Sequence, residues 1–285
     1  MLKSWMFIPG NKDKHLQKAE DLDANVLIYD LEDAVTISEK EDARLKVSKI
    51  IQETNGKLKF ARVNDRMTPY FIDDLLAIVQ EGLTGIILPK VNAKEDIVIA
   101  DYLLDSLEKK HQLPPGQISI VPLIETAAGL FHAYEVALSS KRIHCLAFGA
   151  EDFKMDLQIS SDIEGTELLY AKSKLVEVSR AAGIEAPIDT VYTDFRDEEG
   201  LRKEAQLGKR LGFQGKLLIH PNQIHIVNQV YSPSKDEMEE AKRIVQIYNE
   251  AKDRGEGAIQ VDGKMVDIPV AERARKLLLH ADINQ

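Results

Sequence analysis

The chain of 285 residues lacks several features that mark particular classes of protein. Its single cysteine, Cys145, excludes an internal disulfide and any metal site built from several cysteines. The histidines show neither H-x-x-x-H nor H-E-x-x-H spacing, which argues against a zinc site of that kind. No apolar stretch approaches the length of a membrane-spanning helix, and no GxGxxG turn indicates a dinucleotide-binding sheet.

Basic residues are also in deficit, with 37 Lys and Arg against 47 Asp and Glu, so that the net charge is −10. An acidic surface disfavours nucleic acid and anionic membranes as partners, because both need a basic face. Any anionic substrate must therefore be bound by local cations. The apolar run within the first residues, MLKSWMFIPGNK, is far too short for a signal peptide. We expect a soluble, cytoplasmic protein.

Eight short apolar runs recur along the chain, and each is followed by Gly, Pro, Asn or a charged residue. They start at Trp5, Asn25, Lys59, Gly85, Ile118, His144, Pro187 and Gly215. Their carboxyl ends are spaced between 20 residues (Gly10 to Asp30) and 37 residues (Asp152 to Asp189). Most gaps hold a helix-period segment, the pattern of successive βα units, with Gly82 and Gly183 as helix stop signals. The chain therefore predicts an α/β fold, a (β/α)8 TIM barrel, with an open doubly wound sheet as the competing architecture.

The pattern changes after His220. Ser234 and Glu237 form a capping box ahead of an amphipathic helix, Asp262-Gly263 indicates a hairpin turn, and a last helical segment follows. We predict two domains: a TIM-barrel catalytic domain over residues 1–232, and a C-terminal helix–hairpin–helix extension over 233–285. The extension is expected to act as a lid or as an oligomerisation element.

Three of the apolar runs deliver a charged residue at the same end: Arg62, Glu125 and Asp152. In a parallel barrel these ends gather at one mouth. Two carboxylates there can hold a divalent cation of the Mg²⁺ type, with water and substrate oxygens completing the ligand set. The alternative is that each acid caps the helix that follows it. Spacing alone leaves the two interpretations equally weighted.

Arg62 has two interpretations of the same kind. Its guanidinium suits a bidentate grip on a substrate carboxylate, or it forms a salt bridge with Asp30, Glu32 or Asp33. These three acids could also simply mark the start of a helix. We favour the interpretation that they surround and orient the metal ligands and the arginine. Lys90 suits phosphate or substrate binding, although a structural ion pair is the commoner use of such a lysine.

Two other reactive side chains have simpler interpretations. Cys145, next to His144, invites a nucleophile hypothesis, but on an apolar strand a buried small residue is far commoner. His220 follows the eighth run, and we expect it to be structural.

Taken together, the segments of this chain resemble the citrate lyase β-subunit family, or CitE-like proteins, within the HpcH/HpaI aldolase superfamily, which includes malyl-CoA and citramalyl-CoA lyases. The matching segments run in order along nearly the whole chain: FIPGN, DLEDAV, RVN, LPKV, LIETAAG, FGAEDF, EGTELLYA, IDTVYTDF, GFQGKLLIHPNQ and DGKMVDIP. One departure is the stretch after FGAEDF, which has Gln158 and Ser160 and lacks the arginine that many relatives carry. If that arginine holds the substrate, the substrate here differs from those of the best-known members.

The resemblance implies Mg²⁺ held by Glu125 and Asp152, with Arg62, together with Glu125, contacting the substrate. It implies that Asp267 is a catalytic acid/base supplied by a neighbouring subunit of a homotrimer or a dimer of trimers. The implied activity is Mg-dependent carbon–carbon cleavage, or the reverse synthesis, on a 3-hydroxyacyl-CoA such as citramalyl-, malyl- or citryl-CoA. The alternatives are a malyl-CoA thioesterase, a citrate lyase β subunit that acts on an acyl-carrier-protein thioester, and a non-catalytic scaffold.

Overall fold

A computed structural model describes residues 2–53, 56–160, 165–255 and 257–282. The chain divides into two compact units, Leu2–Asn228 and Gln229–Gln285.

The first unit is a closed barrel of eight parallel strands in chain order, with the first strand paired to the eighth. The strands are β1 (Ser4–Pro9), β2 (Val26–Asp30), β3 (Leu58–Arg62), β4 (Gly85–Leu88), β5 (Ser119–Ile124), β6 (Ala147–Phe148), β7 (Ile188–Asp189) and β8 (Gly215–Leu218). The helices around them are α1 (Asp13–Lys18), α2 (Lys40–Gln52), α3 (Tyr70–Ile78), α4 (Lys94–His111), α5 (Ala127–Leu138), α6 (Ala150–Leu157), α7 (Leu169–Ala182), α8 (Glu198–Leu211) and α9 (Asn222–Tyr231), with short 3₁₀ turns at Ala19–Asp21, Ile37–Glu39 and Thr166–Leu168. The TIM-barrel prediction is confirmed, and the open sheet is excluded.

The strands are apolar on both faces because one face lines the barrel interior and the other lies under the helices. The interior is filled by a cluster of buried side chains that includes Trp5, Phe60, Val121 and Cys145. The Trp5 and Phe60 rings lie 5.0 Å apart at 56°, a tilted arrangement that aromatic pairs favour. Buried apolar side chains therefore fill the barrel beneath its mouth.

The glycine stop signals give one confirmation and one correction. Gly183 ends α7 in the left-handed region, at φ +73°, as predicted. Helix α3 ends at Ile78, before the predicted stop at Gly82. Gly82, at φ +97°, instead lies in the turn before β4, where an added Cβ would meet the Ile51 carbonyl oxygen at 2.2 Å. It is required by close packing of the backbone, not by a helix end.

The second unit contains α10 (Lys235–Asp253), β9 (Ile259–Val261), β10 (Lys264–Val266) and α11 (Ile268–Asp282). The capping box is confirmed, because the Glu237 amide donates to Ser234 Oγ at 3.1 Å and the Ser234 amide donates to the Glu237 carboxylate at 2.7 Å. The antiparallel hairpin is confirmed as well, with Asp262 and Gly263 at φ +49° and +80°. The functional boundary after residue 232 and the lid role stay predictions.

Within the described ranges, no helix is both long enough and apolar enough to cross a membrane.

Candidate metal and substrate site

Asp30 and Arg62 are register partners at the carboxyl ends of the adjacent strands β2 and β3. The Arg62 guanidinium donates from Nε to Asp30 Oδ1 at 2.7 Å and from Nη2 to Oδ2 at 2.6 Å, a bidentate pair. Asp30 also accepts hydrogen bonds from the backbone amides of Glu32 and Ala34. Burial alone would raise the pKa of Asp30, but the Arg62 charge and these hydrogen bonds hold it below the ordinary value.

The rest of the Arg62 side chain is also in contact. Its Nη1 lies 3.1 Å from both Glu32 and Asp33, and the guanidinium carbon is 4.8 Å from the centroid of the Phe7 ring. The salt bridge that the sequence left open is therefore formed with Asp30, Glu32 and Asp33 at once. Arg62 is held rigidly at the mouth of the barrel; its contact with substrate stays a prediction.

Glu125 follows β5 directly and is 2% exposed. The cap of α5 is the next residue, Thr126, whose hydroxyl accepts from the Gly129 amide at 3.0 Å. Glu125 Oε1 accepts instead from the Lys90 amide of the neighbouring loop, at 2.7 Å. The helix-cap interpretation of Glu125 is therefore not supported, and its carboxylate is held in the barrel mouth.

The carboxylates in this mouth repel one another. Burial, followed by repulsion from Glu32, raises the pKa of Glu125 to about 8, and Asp152 adds to the increase. Burial raises the pKa of Glu32 to about 7, against the opposing charges of Arg62 and Lys90. Burial is the largest cause of both pKa shifts, and the charges of neighbouring carboxylates add to it.

Asp152 lies in the first turn of α6 and not at the end of β6, because the strand stops at Phe148. The start of α6 is fixed by the Thr190 hydroxyl, which accepts from the Ala150 amide at 3.0 Å. The N-cap of α6 makes no side-chain hydrogen bond, although an acid in the first turn still interacts favourably with the helix dipole. Asp152 is half-buried, and its negative charge contributes to the raised pKa of Glu125.

The donor set fits Mg²⁺. Across the described ranges, no three His, Cys, Asp or Glu side chains group closely enough to hold a metal ion by themselves. Mg²⁺ does not need such a set, because it is usually bound through one or two carboxylates and keeps water and substrate oxygens as its other ligands. Burial and the neighbouring carboxylates raise the pKa of Glu125, and a bound divalent cation would offset both effects by favouring the charged form.

Two residues that hold the loop after β2, Lys40 and Asn64, were not predicted from the sequence. The buried Lys40 ammonium donates to the carbonyl oxygens of Leu31 and Glu32, at 2.9 and 3.1 Å. The Asn64 side chain donates to the same Leu31 oxygen at 2.8 Å and is held in turn by Asp74. A helical lysine gives no sequence signal for such a role. Asn64, two positions after Arg62 in RVN, offered the one available signal.

Other candidates lie where they bear less on this cluster. His220 stacks on Phe195, with ring centroids 5.0 Å apart, and Cys145 is in the barrel interior. Burial raises the pKa of the Cys145 thiol to about 12. Lys90, by contrast, belongs to the cluster: its Nζ forms an ion pair with Glu32 Oε1 at 3.1 Å, and its amide holds Glu125.

Asp267 lies in the C-terminal unit, between β10 and α11, where its Oδ1 accepts from the Val270 amide at 3.3 Å. Gln158 ends α6 in the left-handed conformation, and it is exposed. Residues 161–164 of the stretch that lacks the arginine lie outside the described residues.

A TIM barrel with a carboxylate cluster and a clamped arginine at the carboxyl ends of its strands belongs to the class of barrel enzymes with acidic, metal-compatible sites. The sequence profile described as HpcH/HpaI aldolase/citrate lyase matches residues 3–221. This chain belongs to that family, and the resemblance seen in the sequence is confirmed.

Several relatives match along nearly the full chain. The citrate lyase subunit beta of Leuconostoc mesenteroides subsp. cremoris is 38% identical, over 99% of this chain and 94% of that protein. The (3S)-malyl-CoA thioesterase of Cereibacter sphaeroides is 34% identical, over 98% and 94%. The mitochondrial citramalyl-CoA lyase of Homo sapiens is 31% identical, over 95% and 82%.

A solved structure is similar over the same extent. The CitE protein of Mycobacterium tuberculosis, in complex with magnesium, acetoacetate and coenzyme A, superposes with a TM-score of 0.83 at 28% identity, covering 98% of both chains.

Proposed function

We propose that this chain is a Mg²⁺-dependent carbon–carbon lyase, or the reverse synthase, for a 3-hydroxyacyl-CoA thioester such as citramalyl-, malyl- or citryl-CoA. The observation that carries the proposal is the buried Glu125 carboxyl group, which the Lys90 amide fixes at the mouth of the barrel near Asp152 and the clamped Arg62. Family membership supports the reaction class, and the citramalyl-CoA lyase and malyl-CoA thioesterase relatives support a CoA thioester as substrate.

In this proposal Glu125 and Asp152 hold the metal ion. Bound there, Mg²⁺ would supply Lewis-acid chemistry. Glu125 is suited to the role because the Lys90 amide fixes one of its oxygens. Asp30, Glu32 and Asp33 keep Arg62 in one orientation and so set where its positive charge lies.

In the cleavage direction, a base takes the proton of the β-hydroxyl, and the O–H electron pair forms the carbonyl of an oxo acid. The carbon–carbon bond breaks, and its electron pair becomes the enolate of the thioester. Arg62 stabilises the negative charge of the substrate carboxylate or of the enolate as it develops. Asp267 delivers a proton to the enolate carbon, giving acetyl-CoA from each of the three substrates named.

We propose further that Asp267 serves the site of a neighbouring subunit, in a homotrimer or a dimer of trimers. Residues 1–232 then form the catalytic barrel, and residues 233–285 form the lid and oligomerisation element. The cytoplasmic location is a proposal that rests on the sequence alone.

Two other activities fit the same site. A thioesterase would use water as the nucleophile, and the Cereibacter sphaeroides relative supports this alternative for malyl-CoA. The Leuconostoc mesenteroides relative supports a second alternative, a citrate lyase β subunit, for which we propose an acyl-carrier-protein thioester as substrate. Genes for a carrier protein and a transferase subunit beside this one would favour the second alternative.

The deciding experiment is a coupled assay of the purified protein with citramalyl-, malyl- and citryl-CoA, with Mg²⁺ and with chelator. We expect acetyl-CoA and an oxo acid, only with Mg²⁺, and loss of turnover in Glu125→Gln. The matched control is Glu135→Gln, an exposed acid on α5. Free CoA and malate, without acetyl-CoA, would identify the thioesterase. No turnover of any CoA thioester would refute the lyase on CoA substrates.

A further inference from the structure

Arg62 has little hydrogen-bonding capacity left for a substrate. A guanidinium carries five N–H groups. Asp30 takes one from Nε and one from Nη2, while Glu32 and Asp33 lie within 3.1 Å of Nη1. One N–H on Nη2 is left over. A substrate carboxylate with two oxygens needs more donors than this arginine offers in its clamped position.

Lys90 is the cation beside it with spare capacity. An ammonium carries three N–H groups. In the described part of the barrel unit it contacts one side chain, Glu32, at 3.1 Å. Its side chain is 35% exposed, against 12% for Arg62. Two N–H groups of Lys90 therefore remain for a ligand that enters the mouth.

The backbone of Lys90 directs this side chain into the cluster. Its φ of +50° is left-handed, a conformation that residues other than Gly, Asn and Asp adopt rarely and at a cost. The same turn aims the Lys90 amide at Glu125 Oε1, while the ammonium lies against Glu32. Such a residue persists where the surroundings determine its conformation, commonly at a functional site.

We propose that the Lys90 ammonium is a substrate-binding group, which contacts the free carboxylate of the oxo-acid half of the substrate alongside Arg62. This inference rests on the proposed lyase function, since cleavage produces an oxo acid that carries that carboxylate. The backbone amide of Lys90 has the separate task of positioning Glu125. The side chain and the main chain of one residue thus serve the substrate and the metal ligand respectively.

The test is binding of an oxo acid to the Mg²⁺-loaded protein, measured by titration calorimetry with pyruvate, glyoxylate and oxaloacetate as probes. Three variants separate the two tasks. Lys90→Met keeps most of the side-chain length without its charge. Lys90→Gly keeps the amide and relaxes the left-handed turn, and Lys90→Arg keeps the charge. Lys109→Met, which removes an exposed ammonium paired with Asp105 on α4, is the matched control.

We expect Lys90→Met and Lys90→Gly to weaken oxo-acid binding about 10- to 100-fold, as loss of a charge-assisted hydrogen bond does. Lys90→Arg should bind the oxo acid more tightly than Lys90→Met because it keeps the charge, and Lys109→Met should remain at wild-type affinity. Mg²⁺ affinity without oxo acid should change less than about fivefold in Lys90→Met, because a partly exposed ion pair contributes little. Methyl pyruvate, which lacks the free carboxylate, should bind Lys90→Met and wild type equally.

Unchanged pyruvate binding by Lys90→Met would overturn the inference. The Lys90 ammonium would then serve only in its ion pair with Glu32. Loss of Mg²⁺ binding in that variant would also overturn it, because Lys90 would then act only through Glu125 and Glu32. Absence of oxo-acid binding by the wild-type protein overturns it too. The proposed function is judged separately, by turnover of the thioesters, so that each can fail alone.

Discussion

The backbone amide of Lys90 donates a hydrogen bond to Glu125 Oε1 over 2.7 Å, although 35 positions separate the two residues. The bond ties the loop after β4 to the loop after β5. The other oxygen, Oε2, lies 2.5 Å from the position that a Cβ on Gly149 would take, so the turn between β6 and α6 packs closely against it. Three consecutive βα loops thus determine where one carboxylate points, as a metal ligand requires.

Gly149→Ala should disable the site without unfolding the barrel. The added Cβ would meet Glu125 Oε2 at 2.5 Å and Glu125 Cβ at 2.7 Å, so the carboxylate must move. A displacement near 1 Å at a catalytic group lowers turnover about 100-fold, which sets the expected loss in kcat/KM. Mg²⁺ affinity, measured by calorimetry, should fall with it.

The matched control is Gly257→Ala, where the added Cβ meets nothing within 4 Å. A Gly149→Ala protein with wild-type Mg²⁺ affinity and turnover would show that Glu125 does not hold the metal in this position.

Arg62→Lys should inactivate the enzyme even though the charge is kept. A lysine cannot reproduce the bidentate bond to Asp30 and the contacts with Glu32 and Asp33 at once. We expect kcat/KM to fall at least about 100-fold, equivalent to roughly 3 kcal/mol of lost transition-state stabilisation. Steady-state kinetics on the productive thioester measure this, with circular dichroism as the check on folding. Near-normal kcat/KM would leave Arg62 with a purely structural role.

Much of the barrel was predictable because its signal is local and repeated. Eight apolar runs at regular spacing specify βα units, and parallel strands permit few other closures. The capping box at Ser234 and the Asp262-Gly263 turn are equally local. Gly82 was misinterpreted because its reason, the close approach of Ile51 from α2, lies in tertiary packing that no local pattern records.

The candidate site was predictable as a set of residues but not as an arrangement. Charged residues at strand ends indicated Arg62, Glu125 and Asp152, yet the choice between metal ligand and helix cap depends on which atoms each carboxylate contacts. Thr126 caps α5, whereas Glu125 points into the mouth of the barrel. The sequence alone does not show which of these two adjacent polar residues is the cap. The double use of Lys90 likewise depends on a left-handed φ at a residue other than glycine.

Asp189→Asn should destabilise the barrel unit. Asp189 lies buried at the end of β7, with Lys172 Nζ at 3.0 Å and Lys216 Nζ at 3.5 Å, and both lysines are buried as well. Removing the carboxylate leaves two buried ammonium groups with Glu204 alone, so we expect the free energy of unfolding to fall by about 3–5 kcal/mol at pH 7. Urea unfolding followed by the fluorescence of Trp5, the single tryptophan, reports this unit.

The difference between Asp189→Asn and wild type should also depend on pH. Burial opposes ionisation of Asp189, but Lys216 and Lys172 lower its pKa below 3.8. The contribution of this carboxylate is therefore complete above 3.8 and is lost as the pH falls through the lower folded-state value. The gap between the two proteins should be constant from neutral pH to about 5 and shrink below about 3.8. Asp105→Asn, at an exposed acid, is the control and should show no gap.

Cys145 should be unreactive in the folded protein and dispensable for turnover. It is 3% exposed in the barrel interior, and burial raises the pKa of its thiol to about 12, so almost no thiolate exists at neutral pH. A chromogenic disulfide reagent should label it only in denaturant, and Cys145→Ala should keep kcat while losing about 1 kcal/mol of stability. Rapid labelling of the native protein with loss of activity would restore the nucleophile hypothesis.

Mixing two inactive variants should restore activity if Asp267 serves a neighbouring subunit. Asp267→Asn retains Glu125 but lacks the proton donor, and Glu125→Gln retains the donor but lacks the metal ligand. In a randomly mixed ring, a site with Glu125 from one variant and Asp267 from the other forms at about one position in four, because each head-to-tail contact pairs two different surfaces. Co-refolded or co-expressed mixtures should therefore regain up to about a quarter of wild-type turnover.

The control for this mixture is Asp267→Asn alone, refolded in the same way, which should stay inactive. Because the Asp267 carboxylate also accepts from the Val270 amide at the start of α11, circular dichroism and the oligomeric state of that variant must match wild type. If both checks hold and the mixture of the two variants regains no activity, then Asp267 does not complete a neighbouring site. A partial recovery that disappears when the subunits are dissociated by dilution would place the active site across two chains, since neither chain alone then carries both groups.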